Sequence, residues 1–179
     1  MSKMQFTLFK TAIGACGIAW GERGIRGLQL PESSEEKARA RLSRRFRQAT
    51  EAPPPATIRD AIDLIVRHLR GEASDLSGVE LDMEAVPEFE RRVYDIARAI
   101  PAGSTLTYGE IGTRLGDKLL SRDVGQALGR NPFPIVVPCH RVVAAGGKLG
   151  GFSARGGAST KLRLLAIESR HATALPLFT

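Results

Sequence analysis

The sequence predicts a mixed α/β (α+β) protein: a small N-terminal α/β domain followed by a winged helix-turn-helix domain. Three observations lead there. The first thirty residues alternate apolar and polar positions between glycines, as the strands of a meander do. Several later segments carry apolar residues at helical spacing. Pro87 interrupts the chain between a final strand and a long helix, which divides it into domains 1–86 and 87–170 with a C-terminal tail, 171–179. A length of 179 residues suits two small domains.

In the opening "MQFTLFKTAIGACGIAWGERGIRGLQLPE", the turn Gly21 to Gly24 separates two apolar runs, so a hairpin or meander is expected. Cys16 lies inside this pattern and reads as a small buried thiol. Ser33 followed by Glu36 forms a capping box. It opens a basic helix over about Glu35 to Gln48, whose arginines at 39, 41, 44, 45 and 47 read as a solvated face matched to the helix dipole. "EAPPPAT" breaks the chain. Thr57 to Arg70 follows as an amphipathic helix with Ile58, Ala61, Ile62, Ile65 and Leu69 on one side, and "VELDM" closes the domain as a strand.

The second half begins with a helix, Glu88 to Ile100, that buries Phe89, Val93, Ile96, Ala97 and Ile100. Two short helices follow. Thr107 caps the first, with Ile111 and Leu115 inward and Gly116 ending it. Ser121 caps the second, with Val124, Ala127 and Leu128 inward. This is a helix-turn-helix. Next come a strand Ile135–Val137, a Cys-His corner, a strand Arg141 to Ala144 and a glycine-rich turn, which together make a wing. A last helix over about Ser159 to Ser169 turns Leu162, Leu165 and Ala166 inward.

Composition narrows the function. No apolar run reaches the roughly 20 residues of a membrane span, and the first residues lack the apolar core of a secretory signal, so a cytoplasmic protein is expected. Two cysteines cannot build a disulfide framework, and cysteine and histidine show no zinc-ligand spacing. The net charge of +7 is uneven. Residues 1–85 carry 13 basic against 12 acidic side chains, and residues 86–179 carry 13 against 7. A basic second half is the footprint of a nucleic-acid binder, or else a solvated basic face.

The chemistry is concentrated in "NPFPIVVPCHRVVAAGGKLGGFS". A cysteine attacks as thiolate, and a nearby imidazole can lower its pKa. Pro138 bends the chain out of regular pairing just before Cys139, which lets His140 approach the thiol directly or through one water. The carboxylate Glu168 on the last helix is the candidate to orient that imidazole. Taken alone, a Cys-His pair is more often a buried cysteine beside a structural histidine.

The surroundings decide otherwise. "PCHRV" after "GRNPFPIVV", with "GGFS" and "LLAIE" downstream, resembles the O6-alkylguanine-DNA alkyltransferases, the methylated-DNA–protein-cysteine methyltransferases, over roughly Phe89 to Glu168. The resemblance implies a ribonuclease-H-like N-terminal α/β domain. It also implies that O6-alkylguanine, and O4-alkylthymine beside it, is flipped out of duplex DNA bound through the minor groove. The alkyl group then passes irreversibly, once per molecule, to Cys139. His140 would act through a water, oriented by Glu168. Tyr108 would turn the nucleotide's phosphate, with Gly109 beside it on the DNA. Arg122 would fill the vacated stack, and Asn131 would join the recognition helix to the active-site segment. Ser153, with Pro134 and Val142, would hold the base. No cofactor, metal or membrane is implied, and the protein would act as a monomer. Phe152 stands where many relatives carry tyrosine. Three other readings remain at this point: a non-catalytic lesion binder, a cysteine hydrolase and a sequence-specific winged-helix regulator.

Overall fold

The computed structural model describes residues 3–173. The chain forms two compact units. One comprises the residues up to Glu84 together with Pro132–Val136; the other comprises Ala85–Asn131 together with Val137 onward.

In the first unit, β1 (Gln5–Thr11), β2 (Gly14–Gly21) and β3 (Gly24–Gln29) form the expected antiparallel meander, with Phe6 opposite Ala19 and Phe9 opposite Cys16. A two-residue β4 (Thr50–Glu51) joins parallel to β1, giving the order β3-β2-β1-β4. Helix α1 (Glu35–Arg45) lies on this sheet because two glycines admit it. A Cβ on Gly17 would sit 2.4 Å from Leu42, and one on Gly27 would sit 2.5 Å from Phe46. Phe6, Ala19 and Leu42 form the core there, with Met4, Leu8, Phe46 and Ala49 around them. Helix α2 (Ala56–Leu69) starts directly after Pro55 and buries Ile58, Ala61, Ile65 and Leu69.

Two expectations change. The α1 cap is Ser34, whose hydroxyl accepts from the Lys37 amide at 3.2 Å, so the Ser33–Glu36 capping box does not form. "VELDM" is not a strand; only Leu81 bridges to Ile25.

In the second unit, α3 (Glu88–Arg98) buries Val93, Tyr94 and Ala97, and the Tyr94 hydroxyl donates to the Ala127 carbonyl at 2.7 Å. β5 (Leu106–Thr107) leads into α4 (Tyr108–Arg114), whose start is a full capping box between Thr107 and Glu110. Gly116, at φ 108°, ends the turn after α4. A 3-10 turn over Lys118–Leu120 follows, capped by the Asp117 side chain, and runs into α5 (Ser121–Gly129). Ser121 is therefore the first residue of α5 and not its cap; Asp117 has taken that work four residues earlier.

The expected strand Ile135–Val137 is instead a turn. Ile135 has φ 77°, which makes it the non-glycine residue with positive φ among those described. A β-branched residue there is strained by roughly 1–3 kcal/mol. The run is apolar because it is buried, not because it pairs. Of the expected strand Arg141 to Ala144, only β6 (Val142–Val143) forms, and it pairs parallel with β5. The two-stranded wing is therefore absent, and the glycine-rich loop after β6 closes on itself through Ala144 N–H to the Lys148 carbonyl.

Helix α6 (Ala158–Thr173) is longer than expected and takes in the start of the predicted tail, of which 174–179 lie outside the described residues. Its inward face also differs. Leu162 is 55 % exposed, Ala166 is exposed and Leu165 half-buried, while Lys161, Leu164, Glu168 and His171 are buried. Among the described residues no helix is long and apolar enough to cross a membrane.

Candidate active site

Cys139 opens a short 3-10 turn, Cys139–Arg141, that follows Pro138. Its amide donates to the Val137 carbonyl at 2.8 Å, and the Arg141 amide to the Pro138 carbonyl at 2.9 Å. The bend expected at Pro138 is thus a tight helical turn, which sends successive side chains to different sides. Asn131, just past α5, secures it: Nδ2 donates to the Val137 carbonyl at 2.9 Å, and the side chain also hydrogen-bonds Cys139.

The half-buried thiol faces a cavity of about 610 Å3 lined by Tyr108, Arg122, Gly151, Phe152 and Ser153 as well as residues of α5. Arg122 and Ser153 are exposed. Two glycines pack against the Tyr108 ring. Gly125 flanks it, and a Cβ on Gly150 would fall 2.8 Å from its hydroxyl. Gly109 lines a neighbouring cavity of about 750 Å3 that also holds Arg114 and Lys118.

Behind the sulfur lies a buried ionic cluster. His140 Nε2 is 2.6 Å from Glu168 Oε1, and both side chains are 1 % exposed. Arg141 Nε donates to Glu168 Oε2 at 2.9 Å and Nη2 to Oε1 at 2.8 Å, while Nη1 donates to the Ile100 carbonyl at 2.6 Å. The forked guanidinium bond has the two-point geometry that arginine makes with a carboxylate. A carboxylate only accepts, so His140 carries its proton on Nε2.

The surroundings of the sulfur act on its proton in both directions. Burial pushes the Cys139 thiol up; the Asn131 hydrogen bond, the Lys161 charge and backbone amides pull it partway back. Burial likewise raises the Tyr108 hydroxyl, and charge on Cys139 would raise it further.

Two expected residues sit elsewhere. Pro134 lies in the turn that belongs to the first unit, and Val142 is wholly buried in β6 with its carbonyl accepting from Lys161. Two important residues, Arg141 and Lys161, went unassigned in the sequence. For Lys161 the signal was present: residues 161, 164, 168 and 171 fall at i, i+3, i+7 and i+10 on one helix face. A hollow of about 680 Å3 on α1, lined by Lys37, Arg41 and Arg44, holds no nucleophile. Among the described residues no group of three or more histidine, cysteine, aspartate or glutamate side chains could hold a metal.

A half-buried thiol at a cavity with a basic residue at its edge, backed by a buried His-Glu-Arg cluster, is the site of a protein whose chemistry runs through cysteine. Residues 88–170 match the family model for the DNA-binding domain of 6-O-methylguanine DNA methyltransferase. A methylated-DNA–protein-cysteine methyltransferase of Methanothermobacter thermautotrophicus is 37 % identical over 152 residues, covering 85 % of this chain and 78 % of its own. One from Mycolicibacterium paratuberculosis is 34 % identical over 176 residues, covering 98 % and 99 %. The solved structure of Mycobacterium tuberculosis OGT in complex with DNA superposes with a TM-score of 0.74 at 31 % identity, covering 92 % of each chain. The chain belongs to the methylated-DNA–protein-cysteine methyltransferase family.

Proposed function

We propose that this protein, acting as a monomer, repairs O6-alkylguanine in duplex DNA by moving the alkyl group onto Cys139, once per molecule. The observation that carries this reading is a half-buried thiol facing a cavity edged by Tyr108, Arg122 and Ser153, with the His140–Glu168–Arg141 cluster behind it.

The alkylated oxygen lies inside the base stack, so the nucleotide must be swung out at a cost of roughly a few kcal/mol. Arg122, in the first turn of α5, is exposed at the cavity and suits the role of filling the vacated space. The α4–turn–α5 pair supports a helix-turn-helix reading, with the loop after β6 in place of a paired wing. Insertion of α5 in the minor groove suits a protein that reads a lesion and not a sequence. Gly109, with Arg114 and Lys118 in the adjoining cavity, would follow the backbone. The order β3-β2-β1-β4, with one parallel strand, supports a ribonuclease-H-like first unit.

In the chemical step the sulfur–carbon bond forms as the carbon–O6 bond breaks, and the electron pair of that bond goes to the guanine. The thiol proton leaves through a water to His140, whose imidazolium Glu168 stabilises. Tyr108 and Ser153 offer protons or hydrogen bonds to the leaving base. Pro134 and Val142 serve only as framework in this reading. O4-alkylthymine is a second substrate of the same chemistry. A thioether is not readily reversed, so each molecule is consumed.

Intact-protein mass spectrometry after exposure to lesion-bearing duplex tests the reading. One methyl should replace one proton, located on the Cys139 peptide. Repaired DNA in large excess over protein, or equal repair by Cys139→Ser, would overturn it. Arg122→Ala should slow transfer from duplex far more than from free alkylguanine base.

A further inference from the structure

Lys161 on α6 is 0 % exposed, an unusual place for an ammonium group. Its Nζ donates to the Val142 carbonyl at 2.7 Å and to the Gly151 carbonyl at 3.2 Å, and lies 5.8 Å from the centre of the Tyr108 ring. Val142 follows the Cys139 turn directly, and Gly151 stands two residues before Ser153. One nitrogen thus ties together the segments that carry the sulfur, the tyrosine and the serine.

We propose that Lys161 is a positioning residue for Cys139: its ammonium holds the two carbonyls and the Tyr108 ring in one arrangement, and its charge favours the ionised sulfur. This rests on the assignment of Cys139 as the nucleophile. Three observations support it. A buried cation is costly unless neighbours compensate it, and here two carbonyl dipoles and a ring face do so. The titratable groups acting on or through the sulfur are Tyr94 from α3, Tyr108 from α4 and Lys161 from α6, with His140 next in the chain. Both tyrosines are pushed up by burial and stay neutral, and the Arg141 charge is engaged by Glu168. Arg122 is exposed at the cavity edge and His140 is a cation only after it takes the proton, whereas the buried Lys161 ammonium acts on a Cys139 thiolate from the start. The effect is mutual: burial lowers the Lys161 ammonium, and Cys139 raises it.

The test is the rate at which the Cys139 sulfur displaces iodide from iodoacetamide, measured against pH by mass spectrometry of the Cys139 peptide. Lys161→Gln keeps amide donors for the carbonyls but loses the charge; Lys161→Arg keeps the charge; Lys161→Met keeps neither. The Gln variant should shift the profile to higher pH, with a roughly tenfold slower reaction near pH 7.5 and an unchanged rate at the alkaline limit. Arg should restore most of the loss. Met should show the Gln shift and a lower melting temperature as well. A Gln profile with an unmoved midpoint, whatever its height, overturns the proposal, because the lysine is then only a structural tie. Failure of both neutral variants to fold overturns it equally. Methyl transfer from lesion-bearing DNA, run in parallel, separates the two ideas: a wild-type protein that does not accept methyl sinks the repair reading and leaves the iodoacetamide profile standing.

Discussion

Helices α1 and α6 are both rich in basic residues, and they face their units in opposite ways. α1 turns Ala38 and Leu42 inward and leaves Arg39, Arg41 and Arg44 outside, two of them paired to Glu51 and Glu32. α6 turns Lys161 and Glu168 inward and leaves Leu162 outside. α1 follows the ordinary thermodynamic arrangement, in which apolar burial stabilises and charges stay hydrated. α6 reverses it at Lys161 and Glu168, and it does so beside the Cys139 turn. The buried charges of α6 lie close to the Cys139 turn, whereas the outward charges of α1 pair at the surface.

The sharpest way to break that contrast is to remove one member of the buried set. Glu168→Ala leaves Arg141 and His140 buried without their carboxylate and should destabilise the fold by about 3–5 kcal/mol in denaturant titration. Glu168→Gln should be milder in stability yet still slow methyl transfer strongly. On the α1 side, Leu42→Ala removes apolar packing only and should cost about 3 kcal/mol, with one methyl still accepted per folded molecule. Equal loss of transfer in both helices' variants would erase the distinction.

The two cysteines sharpen the comparison further. Cys16 is deep in the first unit, and burial lifts its thiol from an ordinary 9.0 to about 12. The folded protein therefore holds that proton after the unfolded chain has released it. Stability should fall as pH rises from about 9 toward 12, by roughly 1 kcal/mol per pH unit from this group. It should be unaffected by this group below pH 9. Cys16→Ala should flatten that part of the stability curve; an identical alkaline loss in the variant would show that Cys16 is not its source. The smallest effect belongs to the outside of α1. Arg39→Ala breaks an exposed ion pair with Glu51 and should change stability by under about 1 kcal/mol, less at high salt.

Much of the site could be read from residue order. Cys139, His140 and Glu168 are brought together, and Tyr108, Arg122 and Ser153 line one cavity with the thiol. The meander, α2, α3 and the Thr107 cap follow the local pattern because their determinants are neighbours in sequence. Two of the misreadings share one cause. Ile135–Val137 looked like a strand because it is apolar, but apolarity reports burial and does not choose between a ladder and a turn. Leu162 looked inward for the same reason.

What the amino-acid order determined by itself was the meander, the positions of the main helices, the proposed nucleophile and the family. These rest on periodicity, caps and one dense motif. What only the tertiary structure decided was which face of α6 turns in, that Arg141 clamps Glu168, and that Lys161 sits beneath Tyr108 and Cys139. Those choices depend on acceptors contributed by residues 10 to 41 positions away in the chain. A buried charge is tolerable only where such partners converge, and no local pattern records their convergence.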